Sequence, residues 1–289
     1  MASVAHQAAV MHCDCHVHIV GPAARYPQVP ERTYLAGPAL LDELKRRGST
    51  RGITRFVIVQ PSFYGTDNSA TLDALDELAG NGRGVAVIDP KNTSAETLAE
   101  MARRGVRGLR INLYSPLAAK NRLGDSFAAM ADVARAMGWH IQVIAPLAVL
   151  LQNESLLARS PVPIVIDHYG VYGKARPKDA QGQRLLQLVR NEHVWIKLSA
   201  PYRLNDGPMS TRPDREWVAE LYAAAPPRCV WGSDWPHPPE ASAHKGRDLS
   251  APYRDLSYDK LVDDFIDALP APTLSHQIMR DNPARLYGF

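Results

Sequence analysis

A (β/α)8 barrel forming a single domain over residues 1–289 is the fold predicted by the sequence, and three observations carry it. Eight short apolar runs recur at fairly even spacing, and each is followed by an Ala/Leu/Arg-rich stretch of helical period. The runs are also nearly continuous in Val and Ile, as strands buried on both faces must be. A chain of 289 residues suits one such barrel, which typically takes about 250. A doubly wound open sheet would usually carry a Gly-rich phosphate turn after an early strand, whereas the first strand here ends in HVHIVGP.

The strands are expected at 12–18 (HCDCHVH), 55–60 (RFVIVQ), 84–89 (GVAVID), 106–113 (VRGLRINL), 139–145 (WHIQVIA), 162–168 (VPIVIDH), 193–199 (HVWIKLS) and 228–234 (RCVWGSD). Helices fall between them at 39–47, 69–79, 94–104, 126–137, 147–158, 180–190 and 214–225, with a last one at 259–269. The first helix is expected to end at Gly48, and Gly138 and Gly182 punctuate the fourth and sixth. Two long loops, 19–37 and 235–258, follow the first and last strands. Loops in that position sit on the catalytic face of a barrel, so a lid or substrate collar is expected there.

Composition excludes several classes. With 45% hydrophobic and 22% charged residues the chain has the material for a packed interior. The net charge of +3 is spread along the chain, without the basic stripe and aromatic platforms that nucleic-acid binding needs. The apolar stretch around 145–151 is far short of the ~20 residues that span a bilayer, and MASVAHQAAV lacks a charged signal-peptide n-region. Three cysteines, Cys13, Cys15 and Cys229, cannot all pair, which suits a reducing, cytoplasmic setting. Oligomeric state is not legible.

Strand parity sorts the polar groups, because residues two apart share a face. In DCHVHI it places Asp14, His16 and His18 toward the barrel mouth and Cys13, Cys15 and Val17 against the helix layer. The cysteines then pack as core and do not join the histidines around a metal while the strand stays regular. On strand six His168 is read in register with Ile164 and Ile166, and on strand eight Asp234 closes RCVWGSD. Three histidines and a carboxylate at the catalytic ends of three strands point to an active site.

This constellation resembles the amidohydrolase superfamily and, within it, the amidohydrolase 2 group. The resemblance covers nearly the whole chain, through DCHVHIVGP, QPSFYGTDN, GVRGLRIN, IDHYG, KLSAPYRL, WGSDWPHP and DNPARLYGF. It points to the branch of 2-pyrone-4,6-dicarboxylate lactonase with related lactone hydrolases and isomerases. The resemblance implies hydrolysis of a carboxylated lactone, with Asp234 as general base and His16, His18 and His168 polarising the carbonyl. Arg110 and Arg203 are expected to clamp substrate carboxylate, since guanidinium offers a planar bidentate fit. Tyr34 and Ser62 are expected to add hydrogen bonds, with His237 close behind the base. Lys197 shares parity with Ser199 and stays unassigned between an ion pair and the pocket.

The departures bear on metal and substrate. A two-metal site of the superfamily uses a Lys or Glu on strand four and a His ending strand five. Here those strands offer Arg110 and Asn112, and His140, Gln142 and Ile144, with His140 too early to reach the mouth. No obligatory metal is expected, although His16, His18 and Asp234 offer three ligands for one zinc ion. Pro116 stands where the lactonase has a second arginine and Ile144 where it has a pocket tyrosine, so either Lys120 or Arg122 replaces the charge or the substrate carries fewer or differently placed anions. A metal-dependent decarboxylase, a sugar-lactone isomerase and a non-catalytic barrel binding acidic metabolites remain alternatives, separated by chelator sensitivity, product analysis and turnover.

Overall fold

Eight parallel strands follow one another around the sheet in chain order: β1 (His12–Val17), β2 (Ile53–Val59), β3 (Gly82–Ala86), β4 (Val106–Asn112), β5 (His140–Ile144), β6 (Ile164–Ile166), β7 (Val194–Ser199) and β8 (Cys229–Gly232). The computed structural model describes residues 11–114, 123–204, 209–239 and 248–289. β8 returns to β1 through Asp234 N–H to His16 O at 2.9 Å and His18 N–H to Trp235 O at 2.8 Å, which closes the barrel. Sequential parallel order excludes the doubly wound arrangement.

Around the strands lie α1 (Leu41–Ser49), α2 (Ser69–Glu77), α3 (Ala95–Arg103), α4 (Leu123–Met137), α5 (Leu147–Gln152), α6 (Glu154–Ala158), α7 (Ala180–Val189), α8 (Arg215–Ala224) and α9 (Tyr258–Ala268). The single helix expected at 147–158 is two, because Asn153 ends α5 and turns its amide onto Val149 O at 2.8 Å. Gly138 follows α4 with a φ of 67°, as punctuation requires. Gly48 and Gly182 instead lie inside α1 and α7, where a Cβ would strike the carbonyls of Ile53 and Arg176. The sequence pattern also leaves out the last helical stretch, Leu274–His276, a π turn at Gln277–Asp281 and Asn282–Tyr287. No helix among the described residues is long and apolar enough to cross a membrane.

Phe56, Ile58, Leu109, Ile111, Ile164 and Ile166 face the helices, and Val57, Val59, Val85, Val165 and Val230 meet inside the barrel. Cys13 and Cys15 belong to that inner cluster, beside Tyr287, so the expected orientation of the cysteines is reversed. The cause is an irregularity in β1. Asp14 pairs with Phe56 and Val17 with Ile58, so three steps on β1 match two on β2. That extra residue is a bulge, and it lets Cys15 and His16 both project inward. Asp14 turns outward, accepting from His16 N–H (3.1 Å), Ser233 N–H (2.9 Å) and Tyr258 Oη–H of α9 (2.9 Å). The cysteines are free and buried, as core packing requires.

Candidate active site

The mouth of the barrel collects His16, His18, Asp167, His168 and Asp234 from β1, β6 and β8, all buried. His16 Nε2 lies 3.5 Å and His18 Nε2 3.3 Å from Asp234 Oδ1, and the His16 and His168 rings are 4.7 Å apart. Gly232 makes room for this approach, since a Cβ there would come within 2.7 Å of His16 Cβ.

Asp167 is a site residue that the sequence reading missed. Ile164 and Ile166 face outward and Val165 inward, so parity sends Asp167, not His168, into the barrel. His168 reaches the site only because its backbone leaves the strand at a φ of 51°, a left-handed value rare outside glycine. Its Nδ1 meets Ser199 Oγ at 2.8 Å, and its Nε2 has no hydrogen-bond partner. Asp234, at a φ of 60°, lies just past the end of β8.

The two oxygens of Asp234 have different work. Oδ2 accepts from Tyr202 Oη–H at 2.6 Å and from Arg203 Nε–H at 2.8 Å, with Arg203 Nη2 also at 2.8 Å. Oδ1 has no hydrogen-bond partner and faces the imidazoles. Burial pushes the carboxyl up, but Arg203 and the neighbouring histidines outweigh it and hold Asp234 well below the usual carboxylate range. Arg203 is therefore the ion-pair partner of Asp234 in this structure while also lining the pocket.

The histidines differ in kind. His18 Nδ1 sits 2.7 Å from Val59 O, which can only accept, so Nδ1 carries a proton and Nε2 is the nitrogen turned toward Asp234. His16 Nδ1 instead meets Lys197 Nζ at 3.4 Å. Below them Lys197 donates to Gln142 Oε1 at 2.6 Å, and Gln142 Nε2–H donates to Asp167 Oδ2 at 2.9 Å. Burial lowers His16 well below its ordinary value and His168 to about 4.

Above this centre opens a pocket whose walls include Tyr34, Ser62, Phe63, Arg110, Ile144 and Arg203. Arg110 is anchored by Nη1–H to Gln60 O at 2.7 Å, and its buried Nε has no partner. The two long loops form the collar: Leu35 bridges to Ser250, and Pro236 and Tyr253 line the pocket beside Tyr34. Pro116, Lys120 and Arg122 lie outside the described residues. His237 does not line this pocket. It borders a separate cleft between α1 and the loop after β8, its ring edge-on to Tyr202 at 5.9 Å, and burial brings it down to about 4.

At the barrel floor His140 packs edge-on against Tyr287 with neither ring nitrogen hydrogen-bonded. Burial, reinforced by Lys197, pushes it down to about 3, against about 6.5 in the unfolded chain. Below pH ~6.5 the unfolded chain takes up a proton that the folded ring refuses, so stability present above that pH is lost progressively as pH falls toward 3. Near pH 5 the loss is about 2 kcal/mol. His140→Leu is expected to remove roughly that much of the fall in unfolding free energy between about pH 7 and 5, read from urea unfolding curves. An unchanged slope would assign the acid sensitivity to other groups.

Residues 13–289 match the amidohydrolase family model. The chain is 30% identical over 285 residues to the 2-pyrone-4,6-dicarboxylate hydrolase of Comamonas testosteroni, covering 95% of this chain and 89% of that one. It is 31% identical over 278 residues to the 4-sulfomuconolactone hydrolase of Rhizobium radiobacter, with the same coverage, 95% and 89%. A Pseudomonas putida crystal structure, provisionally assigned as a 2-pyrone-4,6-dicarboxylic acid hydrolase, superposes with a TM-score of 0.78 at 28% identity, covering 96% of this chain and 98% of that one. The fold, the motifs and the family match agree: this chain belongs to the amidohydrolase family.

Proposed function

We propose that this protein is an enzyme that hydrolyses the cyclic ester of a carboxylated small molecule, 2-pyrone-4,6-dicarboxylate or a related muconolactone-type intermediate of aromatic-compound degradation. One observation carries the reading. Asp234 Oδ1 is free of hydrogen bonds between two imidazoles, beneath a pocket walled by a buried arginine. The relatives named above support the reaction class, and the apolar side chains of Phe63 and Ile144 in the pocket wall suit an unsaturated ring.

In this reading the nucleophilic water donates one hydrogen to Asp234 Oδ1 and the other to His18 Nε2. As its oxygen attacks the lactone carbonyl, Asp234 takes the proton, and His16 and His168 donate through Nε2 to the oxyanion. Collapse breaks the ring acyl–oxygen bond, and Asp234 returns the proton to the leaving oxygen. Lactone and water thus give one hydroxy acid. Tyr202 and Arg203 hold Asp234 so that Oδ1, not Oδ2, meets the water. Arg110, Tyr34 and Ser62 orient the substrate from the walls.

The donor atoms of His16, His18 and Asp234 lie within 4.8 Å of one another, as do those of His16, Asp167 and His168, so either set fits a divalent ion. An ion held there would polarise the carbonyl and acidify a bound water. The chain already places Arg203 and Lys197 beside these groups, and we read the metal as not obligatory.

The test follows ring absorbance of 2-pyrone-4,6-dicarboxylate in the ultraviolet with chelator-stripped protein. Ring opening to the hydroxy acid is expected. Turnover only after zinc is restored would replace the metal-free reading, and a rearranged lactone without net hydrolysis would make the protein an isomerase.

A further inference from the structure

The most enclosed charged network in the barrel has no part in the reaction as described so far. Lys197 projects from β7 into the interior with no exposed surface, and its ammonium has three neighbours: Gln142 Oε1 at 2.6 Å, His16 Nδ1 at 3.4 Å and Asp167 Oδ1 at 3.7 Å. The chemistry of the donors fixes the polarity of this chain of bonds. Lysine can only donate and carboxylate only accept, so the Gln142 amide must point its oxygen at Lys197 and its nitrogen at Asp167.

Two groups compete for His16 Nδ1. If Asp167 Oδ1, 3.3 Å away, accepted an Nδ1 proton, Nε2 would carry a lone pair. The 3.3 Å approach of Asp167 Oδ1 is not aligned as a hydrogen bond, whereas Lys197 Nζ stands within hydrogen-bond reach of Nδ1 at 3.4 Å. Donation from Lys197 requires Nδ1 to be bare and leaves the proton on Nε2.

We infer that Lys197 is a positioning residue that sets the tautomer of His16, keeping the ring proton on Nε2, the nitrogen turned toward the reaction centre. The substrate never touches Lys197; its effect passes through His16. The consequence for turnover rests on the proposed function, in which His16 Nε2–H donates to the oxyanion, but the tautomer itself does not.

Nitrogen-15 spectra of histidine-labelled, ligand-free full-length protein test it, with His16 assigned by the signal lost in His16→Gln. In the wild type His16 is expected to show a protonated Nε2 and a bare Nδ1. Lys197→Met is expected to exchange the two, and to lower kcat about 100-fold with KM little changed, the loss that follows removal of one oxyanion donor. Asp167→Asn, which keeps Lys197, is expected to retain the Nε2 proton and serves as the deciding variant if Lys197→Met does not fold. A wild-type Nδ1 proton, or exchange in Asp167→Asn with none in Lys197→Met, overturns the inference. The expected spectra without turnover of any lactone would uphold the tautomer assignment and overturn only the proposed reaction.

Discussion

Asp234→Asn is expected to lower kcat for lactone hydrolysis by about three orders of magnitude while leaving KM nearly unchanged. The amide keeps the shape of the carboxylate and its contact with Tyr202, but it cannot take a proton from water at the Oδ1 position. Since Arg203 and the imidazoles hold the acid far toward its ionised form, Asp234 is a weak base by Brønsted reasoning. In the proposed reaction it would therefore depend on strong polarisation of the carbonyl, the role proposed for the His16 and His168 donors in this buried site. The substitution also removes the buried counterion of Arg203. Thermal unfolding by circular dichroism accompanies the kinetics so that loss of fold is separated from loss of chemistry. A folded variant within tenfold of wild-type kcat would remove Asp234 from the base role.

The strand and helix layout was legible because burial on both faces leaves continuous Val/Ile runs, and those runs alternate with helical periods. What escaped depends on backbone events that leave no apolar signature. The β1 bulge at Asp14 adds one residue, and parity counted through it reversed Asp14, Cys13 and Cys15 while still sending His16 and His18 inward. On β6 the left-handed turn at His168 breaks the count again, so His168 stands at the mouth by a route the register did not describe and Asp167 was overlooked. The alternation of Val165 with Asp167 was the available signal. Tyr202 was missed because it follows Ala200, at a φ of 53°, where strand parity no longer applies. Lys197 was read only as sharing parity with Ser199 and left unassigned, because its neighbours Gln142 and His16 come from other strands.

Arg110→Met is expected to lower kcat/KM for carboxylated lactones about 100-fold, mostly through KM, the scale of a lost buried charge-assisted contact. Arg110 is suited to this because one nitrogen is tied to Gln60 O, fixing the plane of the guanidinium, while its buried Nε is left unpaired. A group anchored in this way has already lost its rotamer freedom before substrate arrives, so its contact with an anion is not offset by ordering. Arg203 lacks that independence, because its guanidinium already balances Asp234. Arg110→Lys should recover only part of the loss, since an ammonium carries the charge without the planar fork. The control is an uncharged lactone of similar ring size: if Arg110 reads the substrate's anion, the wild type and Arg110→Met turn it over alike. A comparable loss on both lactones, carried by kcat, would move Arg110 from recognition to the reacting carbonyl and leave the anion to be held by Arg203 alone.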